Sequence, residues 1–196
     1  KSFDQEITII KKDNMEVISD GGIRSNTSQE ILNNLKLVFD ENGTITAGTA
    51  SPLTDGASAT LVCEEEYAKA NKLPIIARIK STAIQGCPPE LMGLGPINAS
   101  KKALKRANLD IKDIDIVELN EAFASQSIAC IKELKINPEI VNIEGGAISL
   151  GHPLGATGTR ITAKAASLMI KHNKKYALAT QCIGLGQGIA TVLESV

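Results

Sequence analysis

Apolar residues in the last two thirds of the chain form short runs, which alternate with segments whose apolar positions lie three or four residues apart. The short runs predict β-strands, and the longer segments predict amphipathic helices. The predicted strands cover 75–79, 114–119, 141–143, 176–181 and 189–193. The predicted helices cover 96–107, with a proline in its first turn, 123–134 and 161–169. This alternation predicts a layered α/β domain with functional groups at strand ends and helix starts.

The beginning of the chain is more polar and richer in turn residues. Apolar residues near 7–9 and at 17–18 predict short strands. Cap-forming residues at 26–28 precede apolar positions that continue at helical spacing to Val38, and they predict a capped amphipathic helix. This part is therefore expected to be an appendage more than a core.

A proline separates the two parts of the pattern. Small and β-branched residues at 57–63 predict one more strand, and 64–70 is compatible with a helix. Pro74 then breaks the chain. We therefore divide the sequence into two regions, 1–73 and 74–196.

The charges are balanced, with 21 basic and 22 acidic residues. This lacks the positive excess of proteins that bind nucleic acids or anionic membranes, so a small molecule or a protein is the expected ligand. No apolar run approaches the ~20 residues that span a bilayer, and the charged first residues do not resemble a signal peptide. The four cysteines form no CxxC pair, so we expect reduced thiols in an intracellular protein and no structural zinc.

A glycine-rich stretch at 145–158 surrounds a single imidazole, that of His152. Glycines let the backbone approach a ligand closely, and the helix predicted next offers free N–H groups. The functional interpretation is a histidine held at a helix entrance beside a bound molecule. The alternative is an ordinary turn in which the glycines serve only the backbone.

The second stretch, 181–188, places Cys182 where a strand runs into a turn of alternating glycines. A free cysteine is most often a small buried hydrophobe. The neighbouring glycines favour a functional thiol, because they leave room for a substrate and expose amide donors such as the N–H of Gly184.

The third stretch, 120–124, begins with Asn120 directly after a predicted buried strand. Its amide can hold a water or a carbonyl in a site, or it can simply cap the following helix. All three stretches lie at strand ends of one α/β domain, and this makes one shared site plausible.

These stretches resemble the signature blocks of a known family. NEAFA, GGAISLGHPLGATGTR and CIGLGQG resemble the three blocks of the thiolase carboxy-terminal domain, and TAGTASPLTDGASA and PPELMGLGP resemble two more. The blocks follow the family's order, and the resemblance runs from about residue 1 to 196. The residues of PPELMGLGP and CIGLGQG resemble those of degradative 3-ketoacyl-CoA thiolases more closely than those of the biosynthetic type. The implied fold is the carboxy-terminal half of a thiolase-like, layered α-β-α fold.

The resemblance implies a role for each matching residue. His152 matches the histidine that takes the proton from the nucleophilic thiol and helps to bind the thioester oxygen. Cys182 matches the cysteine that exchanges a proton with the α-carbon of acetyl-CoA. Asn120 matches the residue that holds a water in the same oxyanion hole as His152. Gly184 N–H matches a donor to the second oxyanion hole, and Ser51 matches a contact to the pantetheine arm of CoA.

The sequence departs from the family's pattern near this last contact and in its length. Thr49 stands where many members have Asn, and Pro52-Leu53 follow Ser51. Family members are about twice as long, and the half that is expected to be missing holds the first thiolase domain and the nucleophilic cysteine. In this interpretation, 1–73 is the end of the loop domain plus the last strand and helix of the first thiolase domain, and 74–196 is the complete carboxy-terminal thiolase domain. Structural roles are expected for the other three cysteines, Cys63 in a strand, Cys87 in a loop and Cys130 in a helix.

The implied activity is that of an acyltransferase that cleaves 3-ketoacyl-CoA with CoA, or runs the reverse Claisen condensation. CoA would be a substrate, and no other cofactor is expected. The implied partners are acyl-CoA, CoA, the missing amino-terminal half and a second subunit in a homodimer. The rival hypothesis is a non-catalytic CoA-binding or scaffold protein that kept the fold.

Overall fold

The computed structural model describes residues 3–196. Its strands, in chain order, are β1 (Ile10–Lys12), β2 (Met15–Val17), β3 (Arg78–Gly86), β4 (Ile116–Leu119), β5 (Tyr176–Ile183) and β6 (Gln187–Glu194). Its α-helices are α1 (Gln29–Asn33), α2 (Glu65–Ala70), α3 (Gly95–Ala107), α4 (Ala124–Leu134), α5 (Ala147–Leu150) and α6 (Thr157–His172). Short 3₁₀ turns cover Pro89–Leu94, Ile111–Asp113 and Pro138–Ile140.

Four strands form the main sheet in the order β3-β6-β5-β4. β4 and β5 are parallel, while β6 is antiparallel to both of its neighbours, β3 and β5. A parallel pair needs a long crossover, and here that crossover contains α4, α5 and α6. The carboxyl ends of β4 and β5 therefore lie at the same edge of the sheet, and the loops that follow them meet there.

The two faces of the sheet are covered differently. α3 packs on one face, where Val117, Leu178 and Val192 contribute to a buried apolar cluster. α6 packs on the other face, mainly over β4 and β5, with Ile161 and Leu168 in a second cluster. On β3, Ala83 is buried on the α3 side, so Ile84 points to the opposite face, where it is 53% exposed. The half of the α6 face that lies over β3 is thus open.

The main predicted elements of the α/β domain are confirmed, with corrections at two strands. β3 begins at Arg78 and continues to Gly86, beyond the predicted 75–79, because its partner β6 is long enough to pair along that whole stretch. The predicted strand at 141–143 is reduced to one bridge between Val141 and Val117. It goes no further because Asn142 has a φ of 46°, which is incompatible with an extended strand.

The beginning of the chain contains less regular structure than its pattern predicts. β1 and β2 form a hairpin of three residue pairs, but β1 begins at Ile10, after the strand predicted near 7–9. β2 ends at Val17, the first residue of the pair predicted at 17–18. α1 starts where predicted, with Ser28 Oγ accepting the Ile31 N–H at 3.2 Å, but it ends at Asn33 instead of reaching Val38. It buries none of its residues, so packing does not extend it beyond one turn and a half.

The strand predicted at 57–63 is wrong. In the described part of the chain these residues form no strand, and all of them, Cys63 included, are exposed. A strand requires a neighbour to complete its hydrogen bonds, and no strand within residues 3–196 runs beside this segment. The helix that follows it, α2, is confirmed. Among the described residues, none of the helices has the length and apolar character needed to cross a membrane.

Candidate active site

Asn120 and His152 meet at the carboxyl edge of the sheet. Asn120 follows the last residue of β4, and its backbone N–H donates to the carbonyl of Thr180 on β5 at 3.0 Å. Its side chain is almost fully buried, and the Nδ2 atom lies 3.3 Å from Nε2 of His152. The structure therefore brings together two residues from separate motifs, and Asn120 does not cap α4, whose N-cap residue is Phe123. The hydrogen bond of the Asn120 side chain is to an imidazole.

The backbone of His152 is held by a residue far away in the sequence. Thr54 Oγ1 accepts the His152 N–H at 3.2 Å. Gly151, just before the histidine, has a φ of 102°, and a Cβ there would lie 2.4 Å from Thr54 Oγ1. Only glycine combines this backbone conformation with this contact. The segment around Thr54 thus fixes the backbone position of His152.

The hydrogen bonds of the imidazole determine which ring nitrogen carries the proton. The Nδ1 atom of His152 lies 2.6 Å from Thr157 Oγ1, and the Thr157 hydroxyl donates to the carbonyl of Pro153 at 3.1 Å. Because that hydroxyl proton is already used, Nδ1 must donate its own proton to Thr157. Nε2 is then unprotonated, and its lone pair accepts from the Nδ2 of Asn120. The ring presents a basic nitrogen at the sheet edge.

Burial and a nearby charge favour the neutral form of this ring. The pKa of His152 is lowered first by burial and second by the positive charge of Arg160. Arg160 lies in the first turn of α6, three residues after Thr157. A neutral imidazole with an unprotonated Nε2 can accept a proton from an acid placed beside it.

Cys182 lies on β5, opposite Gly188 of β6 and two residues beyond Thr180. It is buried, and burial together with the nearby Cys87 thiol raises its pKa. The thiol is therefore protonated at neutral pH and can act as an acid before it acts as a base. Cys182 shares the sheet edge with Asn120, but within residues 3–196 its sulfur makes no hydrogen bond to Asn120 or His152.

Gly184 lies in the three-residue turn that joins β5 to β6. A Cβ at this position would meet no described atom within 4 Å, so packing alone does not require a glycine. Gly186 differs, because its φ is 92° and a Cβ there would lie 2.5 Å from the carbonyl oxygen of Cys87. The open space at Gly184 leaves its surroundings accessible to a bound molecule.

Ser51 packs against the loop that follows Asn120. Its N–H and its hydroxyl both donate to the carbonyl of Ala122, at 3.1 and 3.3 Å. Its neighbour Thr49 accepts the Ala124 N–H through its carbonyl at 2.8 Å. The block at 46–59 therefore lies along the Asn120 loop, although 71 residues separate Ser51 from Ala122.

Two residues that shape the site were not singled out from the sequence. Glu121 accepts one hydrogen bond from Asn142 Nδ2 at 2.7 Å and another from the Ile148 N–H at 3.1 Å. Asn142 also accepts the Leu119 N–H at 2.9 Å and donates to the Leu119 carbonyl at 2.8 Å. The available signal was an Asn within a predicted strand, where that residue type is disfavoured.

The other three cysteines take no part in the hydrogen bonds of His152, although Cys87 lies near Cys182. Cys130 is fully buried in α4, where its thiol donates to the Gly93 carbonyl at 3.5 Å and burial raises its pKa to about 11. Cys87 is partly buried in the loop before Pro89–Leu94, as expected. Cys63 lies in the exposed segment that replaces the predicted strand. Within the described residues, none of the three forms a hydrogen bond with His152.

Comparison with known proteins places this geometry in a family. Residues 73–195 match the family model of the thiolase C-terminal domain, and residues 1–66 match that of the thiolase N-terminal domain. The chain is 56% identical to a 3-ketoacyl-CoA thiolase of Shewanella loihica over 92% of its own length. It is 57% identical to a 3-ketoacyl-CoA thiolase of Vibrio parahaemolyticus over 88%. These alignments cover 48% and 45% of the two relatives, so the chain spans about half their length.

Solved structures give the same result. Human mitochondrial 3-ketoacyl-CoA thiolase in complex with CoA matches 96% of the chain with a TM-score of 0.89 and 41% identity, over 48% of its own chain. An acetyl-CoA acetyltransferase of Bacillus anthracis matches 99% with a TM-score of 0.94 and 37% identity, over 50% of its own chain. The predicted layered α/β, thiolase-like fold is confirmed, and the chain belongs to the thiolase family.

Proposed function

We propose that this chain supplies the acid–base half of a 3-ketoacyl-CoA thiolase active site. The observation that carries the proposal is the neutral His152 imidazole, with Nδ1–H bonded to Thr157 and Nε2 presented beside Asn120. The two relatives named 3-ketoacyl-CoA thiolase support this subfamily, and degradation of fatty acids is the corresponding pathway class. The reaction is cleavage of 3-ketoacyl-CoA by CoA to acetyl-CoA and a shortened acyl-CoA.

His152 acts on the nucleophile. Its unprotonated Nε2 accepts the proton of a cysteine thiol, and the resulting thiolate attacks the 3-keto carbon of the substrate. The imidazolium that forms keeps its Nδ1–H bond to Thr157 and can donate its new N–H to an oxygen that gains negative charge. Asn120 Nδ2 lies 3.3 Å from the same nitrogen and can add a second donor, directly or through a water.

Cys182 acts on the leaving carbon. When the bond between the α-carbon and the 3-keto carbon breaks, its electron pair remains on the α-carbon of the departing acetyl-CoA. The thiol of Cys182, which burial keeps protonated, donates its proton there, and acetyl-CoA is released. The thiolate left behind takes the proton of the incoming CoA thiol, whose sulfur then attacks the enzyme-bound acyl group. The Gly184 N–H would stabilise a carbonyl oxygen in this half of the cycle.

The nucleophilic cysteine would come from a thiolase amino-terminal half, in the same polypeptide or in a second one. The open half of the α6 face, over β3, supports this proposal, because an apolar residue such as Ile84 is exposed there. We extend the proposal to the two regions divided at Pro74, and to a homodimer of the assembled enzyme in an intracellular reducing compartment.

Ser51 is proposed to contact the pantetheine arm of CoA, which is bound in one of the matching solved structures. Since its hydroxyl proton is directed to the Ala122 carbonyl, Ser51 Oγ would accept a hydrogen bond from a pantetheine amide. CoA enters this scheme as a substrate, and the residues described need no further cofactor for either proton transfer.

The test is reconstitution. The purified chain is assayed for cleavage of 3-ketoacyl-CoA, alone and after addition of a thiolase amino-terminal half that carries the nucleophile. We expect no activity from the chain alone, since a covalent route without its nucleophile is removed and not merely slowed. We expect activity in the mixture. A chain that binds CoA but stays inert with the added half would support the rival function of a non-catalytic CoA-binding protein.

A further inference from the structure

One carboxylate links the end of β4, where Asn120 follows, to α5, the short helix that precedes His152. Glu121 follows Asn120 directly, and its two oxygens bond to different segments. One accepts from Asn142 Nδ2 at 2.7 Å, and the other accepts the Ile148 N–H at 3.1 Å, in the first turn of α5. Such an N–H has no partner within its own helix, so the carboxylate satisfies a donor that the helix cannot.

Both ends of this link are anchored. Asn142 forms two hydrogen bonds with the backbone of Leu119, the last residue of β4, so it cannot turn away from the strand. On the other side, a Cβ at Gly146 would lie 2.2 Å from the carboxyl carbon of Glu121. The carboxylate therefore fills the space that a side chain at position 146 would take. Four residues after Ile148 the chain reaches His152.

We propose that Glu121 is a positioning residue. It holds α5, the short helix before His152, against the end of β4 and so sets the contact between Asn120 and His152 Nε2. Its effect on turnover depends on the function proposed above, but its effect on the imidazole does not. The side chain touches no reacting group. It acts only through the two segments that it joins.

The test uses the two histidines of the chain, because His172, at the end of α6, provides an internal reference for His152. Both imidazoles are titrated by NMR in the wild-type chain and in Glu121→Ala, Glu121→Gln and Gly146→Ala. Glu121→Gln should change the pKa of His152 less than Glu121→Ala does. Its amide oxygen can keep one hydrogen bond, while its amide nitrogen would face a donor such as the Asn142 amide. Gly146→Ala keeps the charge but displaces the carboxylate. Glu133→Gln removes an exposed carboxylate on α4 and serves as the control.

The direction of the change distinguishes positioning from charge. Loss of a negative charge alone would lower the pKa of His152. Release of α5 admits water and removes the Asn120 donor from His152 Nε2. The pKa of His152 should therefore rise, by about 0.5 units or more, in Glu121→Ala and in Gly146→Ala. His172 should not change in any variant. A fall or an unchanged midpoint for His152 in folded Gly146→Ala would overturn the proposal, even if Glu121→Ala does not fold.

Turnover in the reconstituted enzyme gives a second readout. With positioning lost, kcat should fall at least tenfold, while KM for CoA stays within about twofold. If the wild-type mixture is inactive, the proposed function fails, and the NMR titration still decides the role of Glu121.

Discussion

The side-chain amide of Asn120 lies 3.3 Å from Nε2 of His152, and the opposite ring nitrogen lies 2.6 Å from Thr157 Oγ1. The imidazole is therefore bound on both sides, with its proton on Nδ1 and its lone pair on Nε2. This arrangement makes the basic Nε2 atom available only at the edge of the sheet where Cys182 also lies, near the end of β5. The following predictions test its consequences.

Replacement of His152 by Ala should lower kcat of the reconstituted enzyme by about 10²-fold or more, because one side chain serves both proton transfer and oxyanion binding. The change should be measured as thiolysis of a 3-ketoacyl-CoA. His172→Ala, in the exposed last turn of α6, is the matched control and should be near wild type. Unimpaired thiolysis by His152→Ala would refute its proposed role.

Replacement of Cys182 by Ser should separate the two halves of the reaction. A hydroxyl is a far weaker acid than a thiol, so proton transfer to and from the α-carbon should be blocked. Transfer of an acyl group from acyl-CoA to the nucleophilic cysteine should still occur, because the CoA sulfur can leave as a thiolate without a proton from residue 182. Mass spectrometry of the amino-terminal half would detect the acyl group. Cys63→Ser, which changes an exposed thiol, should keep both steps. If Cys182→Ser abolishes acylation as well, Cys182 has another role.

Replacement of Thr157 by Val removes the acceptor of the Nδ1 proton with little change in volume. The proton of His152 should then distribute between both ring nitrogens, which ¹⁵N NMR of the imidazole reports, and kcat should fall by about tenfold. Thr162→Val is the control, since this threonine donates to the Gly158 carbonyl on the same helix at 2.8 Å. A single Nδ1–H tautomer in Thr157→Val would contradict the assignment.

Glu118 should make stability depend on pH. Its side chain is 1% exposed on β4, and burial raises its pKa from 4.5 to about 8, against the opposing charges of Arg160 and Lys164. Between these pH values the native state keeps a proton that the unfolded chain has lost. The contribution of Glu118 is therefore fully present below about pH 4.5 and is lost as the pH rises to about 8.

Glu118→Gln cannot titrate, so it should remove this dependence. In urea unfolding, the free energy of unfolding of the wild-type chain should fall relative to that of Glu118→Gln by about 2 kcal/mol between pH 6 and pH 8. Glu133→Gln, at an exposed position, should follow the wild type. Equal pH dependence in the wild type and Glu118→Gln would show that the native carboxyl is ionised.

The sequence by itself determined most elements of the α/β domain. Apolar spacing predicted α3, α4, α6, β5 and β6. Each of these elements buries a face or its full length in the two apolar clusters, and such burial leaves a readable pattern of apolar positions in the sequence. Residue types and turn chemistry likewise identified the three stretches, of which 120–124 and 181–188 lie at the ends of β4 and β5, while 145–158 follows a single bridge. The roles of His152, Cys182, Asn120, Gly184 and Ser51 remain predictions, since only ligand binding or turnover tests them.

Only the tertiary structure decided how these stretches meet. The residues at 57–63 have strand-like composition, yet they form no strand in the described chain, because pairing depends on a neighbour and not on propensity. Thr54 bonds to His152 across 98 residues, and Asn142 bonds to Glu121 across 21. Local pattern carries no information on such pairs. They arise when the parallel strands β4 and β5 bring their carboxyl ends to one edge, and the proton on His152 Nδ1 is assigned only by the contacts formed there.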